Sequence, residues 1–72
     1  MPRLENWAMD DLRAFGEIYD DDRFKDGANV ATSIVREVDY QTKKLYTTNT
    51  MYDLGEPTDG YRKYLKSIGI EF

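Results

Sequence analysis

Neither cysteine nor histidine occurs anywhere in the 72 residues, and that double absence constrains the chain more than any motif it contains. A domain this short buries only about 60% of the surface its unfolded chain exposes, and small folds commonly make up the shortfall with disulfides or a structural metal. A disulfide framework and a Cys/His zinc site are both closed to this sequence, so packing and hydrogen bonding must hold the fold alone. The same absence removes thiol nucleophiles and histidine-dependent triads. A single domain over residues 1–72 is expected, its small core drawn from a chain that is 40% hydrophobic. No apolar run approaches the ~18–20 residues of a membrane span. No basic segment precedes an apolar stretch and no Asn-x-Ser/Thr acceptor occurs. A soluble cytoplasmic protein without a membrane partner is the expectation.

The formal charge of -4 is not spread evenly. Residues 1–27 hold eight acids and four bases, whereas residues 28–72 hold six of each. The excess concentrates in Glu17, Asp20, Asp21 and Asp22, interrupted only by Ile18 and Tyr19. Such a cluster reads either as a solvated loop or as an acidic surface facing a partner. Six of the ten aromatic residues are tyrosines. Tyrosine offers a large contact area with a polar tip, which suits half-buried positions on a one-sided sheet and exposed positions on a binding surface.

Read for periodicity, Arg3–Leu12 suggests a short helix with Asn6 as N-cap, Asp10 and Asp11 in its early turns, and Leu4, Trp7, Ala8 and Leu12 as the inward stripe. Trp7 is its expected core anchor. Arg13–Tyr19 alternates, with Phe15, Glu17 and Tyr19 on one face and Ala14, Gly16 and Ile18 on the other, so a strand follows with Gly16 at a bulge or close approach. Asp20–Gly27 is a charged loop from which Phe24 is expected to fold back over the core. Ala28–Val38, rich in β-branched residues, predicts one long strand. Asp39–Thr42 reads as a turn, Lys43–Thr48 as a strand, Asn49-Thr50 as a tight turn and Met51–Leu54 as a further strand. After Gly55-Glu56-Pro57, Thr58 or Asp59 can cap a helix whose inward stripe is Tyr61, Tyr64, Leu65 and Ile68, with Gly69 at the stop and Ile70 beyond it. The fold class predicted is α+β: a small antiparallel β-meander or SH3-like curled sheet of three or four strands, with a short N-terminal helix and a C-terminal amphipathic helix.

Motifs for chemistry are sparse. With Asp22 as the first position of an EF-hand loop, Asp26 and Gly27 fit the fifth and sixth, but the third falls on Phe24 and the twelfth on Ser33. What remains is a weak divalent cation on Asp20, Asp21 and Asp22. The five glycines lie too far apart for a Walker loop or a dinucleotide fingerprint. Paired carboxylates need an apolar pocket to tune a general acid, and so short a chain leaves little room for core and pocket together. No enzymatic activity, cofactor or metal is therefore expected. Lys43, Lys44, Arg62, Lys63 and Lys66 could serve a small nucleic-acid-binding barrel, but an isoelectric point near 4.6 opposes a polyanion.

The stretch Asp22–Ser33 (DRFKDGANVATS), followed by Thr47–Gly55 (TTNTMYDLG), resembles a pattern of short proteins from bacteriophages and other mobile elements. From its first residue to its last the pattern spans about half the chain, residues 22–55, through a Gly turn, a Thr-Ser pair and a Tyr-x-Leu-Gly exit. The resemblance implies a phage or prophage setting in the host cytoplasm, where very small acidic proteins often bind host machinery, the anti-CRISPR proteins foremost among them. The function expected is a non-enzymatic binding module, a phage-encoded inhibitor that occludes a basic surface of a host defence or nucleic-acid-handling complex. Tyr19, Asp20, Asp21, Asp22, Tyr40 and Tyr52 are the candidate partner-binding residues, the acids steering and the rings anchoring. The protein would act as a monomer or homodimer without contacting nucleic acid directly. The alternatives are a self-associating structural component and the nucleic-acid-binding barrel.

Overall fold

Where the sequence predicts an N-terminal helix, the computed structural model, which describes residues 1–72, has a strand. In chain order the elements are β1 (Arg3–Met9), β2 (Ala14–Tyr19), β3 (Ala28–Ala31), β4 (Val35–Asp39), β5 (Lys44–Thr47), β6 (Met51–Leu54) and α1 (Asp59–Ser67). The strands form a single sheet in the order β3-β2-β1-β6-β5-β4, antiparallel at every junction except β1 with β6. This corrects the predicted fold class: the sheet is mixed and six-stranded, not an antiparallel one of three or four, and α1 is the only helix.

The helical appearance of residues 3–12 has a specific origin. Leu4 and Trp7 lie three apart, a spacing that would place them on opposite faces of a regular strand and on the same face of a helix. Asn6 adopts φ 50°, and the β1–β2 register shifts between Glu5↔Glu17 and Ala8↔Phe15. Asn6 and Trp7 therefore stand opposite the single residue Gly16. This β-bulge supplies the extra residue that brings both Leu4 and Trp7 inward, each fully buried. Gly16 is required there by contact, because a Cβ would lie 3.0 Å from both the Glu5 carbonyl oxygen and the Trp7 Cβ.

The long strand predicted over Ala28–Val38 is broken by Thr32-Ser33-Ile34 into β3 and β4, which occupy opposite edges of the sheet. Four Cα steps from Ala31 to Val35 span at most about 14 Å, whereas the edge strands of a flat six-stranded sheet would lie about 24 Å apart. The sheet is therefore rolled until its edges nearly meet. Thr32 locks this closure: its buried hydroxyl oxygen accepts the Ala14 amide at 3.1 Å and donates to the Ser33 carbonyl at 2.7 Å. The Val35 amide donates to the Leu12 carbonyl at 2.7 Å, and the Thr48 amide to Ile34 at 3.1 Å.

Inside the roll, Ala28, Ile18, Leu4 and Leu54 stand in register across β3, β2, β1 and β6. Trp7, Ala14, Leu45, Tyr52 and Leu65 complete the core with Leu4, Ile18 and Leu54. Each large apolar side chain buried this way contributes about 1.5–3 kcal/mol. The Trp7 indole N–H donates to the Gly55 carbonyl at 2.9 Å, which fixes the segment leaving β6 beside β1.

The helix starts on Thr58, whose hydroxyl accepts the Tyr61 amide at 3.1 Å. It stops in a Schellman arrangement, with Gly69 at φ 84°, the Gly69 amide on Lys66 and the Ile70 amide on Leu65. Its inward stripe is narrower than the spacing predicts. Leu65 is buried and Tyr61 half-buried, but Tyr64 and Ile68 are each 52% exposed, because Ile70 and Phe72 of the returning tail pack on the core in their place. No helix is long and apolar enough to cross a membrane.

Candidate protein-binding surface

One residue out of phase with the buried row, on the outer face of the sheet, Tyr19, Arg3, Asp53 and Lys44 stand in register across β2, β1, β6 and β5. The period of two along a strand forces this partition, apolar inside and charged outside. Lys44 pairs with Asp53. Arg3 is shared more widely: its Nε donates to Glu5 Oε2 at 2.9 Å, its Nη1 to Asp20 Oδ2 at 2.9 Å, and its guanidinium lies 4.9 Å from the centre of the Tyr19 ring. The Tyr19 hydroxyl donates to Glu17 Oε1 at 3.3 Å, and the charge on Glu17 raises the Tyr19 pKa.

The β2–β3 loop leaves this face through Asp20, at φ 59°. It is an ordered structure. The Asp20 amide donates to Asp26 Oδ1 at 3.0 Å, the Gly27 amide to the Ile18 carbonyl at 2.7 Å and the Phe24 amide to Asp21 at 3.2 Å. Asp21 is the internal post: its carboxylate accepts the Arg23 amide at 2.9 Å and the Arg23 guanidinium at 3.1 and 2.7 Å, leaving its side chain 6% exposed. The side-chain and then the backbone bonds from Arg23 hold the Asp21 pKa down to about 2. Asp22 is exposed and makes no ion pair, whereas Phe24 is 44% exposed beside the Arg23 guanidinium instead of folding back over the core.

The six candidate residues thus take different places. Tyr19, Asp20 and Asp22 share one surface. Asp21 lies beneath them as a structural group. Tyr52 belongs to the core, 6% exposed and opposite Leu45, so its ring is not an exposed anchor. Tyr40, in the β4–β5 turn, lies against the C-terminal tail, its ring centre 6.3 Å from that of Phe72. No three acids converge in a way that could hold a metal ion.

A second surface was not legible in the sequence. Trp7 contacts Tyr61 and Phe72 at centroid separations of 5.5 and 5.2 Å, and Tyr61 contacts Tyr64 at 5.4 Å. Burial raises the pKa of both Tyr40 and Tyr61. Two shallow clefts flank this aromatic group, one lined by Met9, Asp10, Asp11, Tyr61 and Tyr64, the other by Arg62, Lys66, Ile70, Glu71 and Phe72. Asp10 Oδ1 accepts the Leu12 and Arg13 amides at 2.9 and 2.8 Å, which lowers its pKa. That hairpin turn is the signal a helical reading of Asp10-Asp11 conceals. Three of the five candidate bases gather at the C-terminal tail, where Lys43 lies over the Phe72 ring at 4.9 Å, Arg62 donates to the Phe72 carbonyl while pairing with Glu56, and Lys66 lines the same cleft; Lys44 pairs with Asp53 on the outer face. Comparison with protein-family models, with curated proteins and with solved structures gave no match.

Proposed function

We propose that the protein is a non-enzymatic binding module that sets its β2–β3 loop and the adjoining outer face of the sheet on a basic surface of a partner protein complex, and inhibits that complex by occlusion. The observation that carries the reading is the excess of acid on an ordered support: Glu5, Glu17, Asp20, Asp21, Asp22 and Asp26 surround only Arg3, Arg23 and Lys25. A loop already fixed by its own hydrogen bonds loses little conformational freedom on docking. Tyr19 and Phe24 provide ring surface beside the charge. The resemblance to small phage and mobile-element proteins supports a bacterial host as the setting, and a target that handles nucleic acid or mounts defence, in the manner of anti-CRISPR proteins.

The test is a pull-down of tagged protein from bacterial host lysate at low and high salt, beside an Asp20→Asn/Asp22→Asn variant. Asp21 is left intact because it holds the loop. Retention of one complex by the wild type, weakened by salt and lost in the variant, is expected. Equal retention by the variant would refute the placement, and no retained complex together with concentration-dependent mass in light scattering would replace it with self-assembly.

A further inference from the structure

The aromatic cleft beside the N-terminal half of α1 differs in kind from the charged outer face. Its walls are the Tyr61 and Tyr64 rings, tilted 45° to one another, and the Met9 side chain, and its rim is Asp10 and Asp11. No base lines it. Asp10 Oδ1 is engaged by two turn amides while Oδ2 makes no hydrogen bond, and Asp11 makes neither a hydrogen bond nor an ion pair. The nearby Arg13 directs its guanidinium to the Thr32 carbonyl at 2.9 Å instead. Asp59, in the first turn of α1, offsets the positive end of the helix.

From this we infer that the cleft binds the side chain of an arginine on a partner protein. Two tyrosine rings, the open Asp11 carboxylate and the free oxygen of Asp10 converge on one chemistry, an organic cation with a flat apolar surface. The guanidinium alone among side chains both stacks on aromatic rings and presents a planar row of N–H donors to a carboxylate. Lysine would meet the charge requirement but not the stacking one. The inference rests on the proposed docking to a basic partner and gives that partner a second, separate point of contact, away from the β2–β3 loop.

The experiment titrates isotope-labelled full-length protein with an acetylated and amidated Gly-Arg-Gly peptide, following amide and aromatic NMR shifts. Gly-citrulline-Gly and Gly-Lys-Gly peptides are run in parallel. Saturable shifts confined to Met9, Asp10, Asp11, Tyr61 and Tyr64 are expected, with binding about fivefold to tenfold weaker for the citrulline peptide and for Asp11→Asn. Tyr64→Ala should weaken binding similarly, and Tyr64→Phe, which keeps the ring, should restore it. Both positions are exposed, so an unchanged shift pattern elsewhere verifies folding. Absence of saturation, equal binding of the citrulline peptide, or shifts centred on the β2–β3 loop would each overturn the inference. The lysate pull-down with the loop variant is unaffected by that failure, so the two readings fall separately.

Discussion

Asn6, Trp7 and Gly16 form one unit, and changing any of them tests the bulge. Gly16→Ala places a methyl 3.0 Å from backbone and Cβ atoms that cannot swing aside, so a loss of about 1–3 kcal/mol in denaturant unfolding is expected. Asn6→Gly should be near neutral because glycine adopts φ 50° freely, whereas Asn6→Val should cost roughly 1–2 kcal/mol. Asp21 makes a different prediction, through pH. Its folded pKa lies at about 2, below the ordinary value of 3.8, so its contribution to stability is complete above pH 3.8 and disappears as pH falls towards 2. Asp10 and Asp39, also lowered by hydrogen bonds to turn amides, act in the same direction. Acid titration of urea midpoints should show a decline over this range, flatter in Asp21→Asn. Tyr40 and Tyr61 act oppositely: with folded pKa values raised, their contribution is present below pH 10 and lost above it, so alkaline unfolding should coincide with tyrosinate absorbance.

At the level of elements, legibility followed locality. The C-terminal helix was readable because its cap, its stop and its buried Leu65 all lie within a dozen residues. Thr58→Ala should cost about 0.5–2 kcal/mol, measured by thermal unfolding. The hairpin strands β5 and β6 were readable for the same reason, since alternation and turn residues suffice. β1 imitates a helix in sequence because its bulge turns a spacing of three into a shared face, and a bulge is fixed by its partner strand, which a single segment does not reveal. The break between β3 and β4 is set by Thr32 reaching Ala14, a contact across 18 residues that strand propensity cannot anticipate. The burial of two candidate residues is not readable from their segments: the face that Tyr52 takes depends on register, and sequence does not distinguish a carboxylate that supports a loop, as Asp21 does, from one that faces solvent.

At the scale of the whole molecule, the rolled sheet separates two surfaces. Its outer polar row carries Tyr19, Arg3, Asp53 and Lys44 up to the acidic loop, while the helix and tail gather Trp7, Tyr40, Tyr61, Tyr64 and Phe72. Both rest on the same small core, so the loop and the aromatic surface hold a fixed relation despite the absence of disulfide or metal. Charge on such a rigid frame acts before contact: an asymmetric acidic surface raises association rates towards a basic groove by about 10- to 1,000-fold, with a steep dependence on salt. The most direct measurement is therefore the association rate of the captured partner with wild type and with Asp20→Asn/Asp22→Asn across a series of ionic strengths. The predicted result is a wild-type rate that falls steeply with salt and a variant rate that is slower at low salt and flatter, the two converging at high salt. Superimposable salt profiles would contradict recognition through the acidic loop.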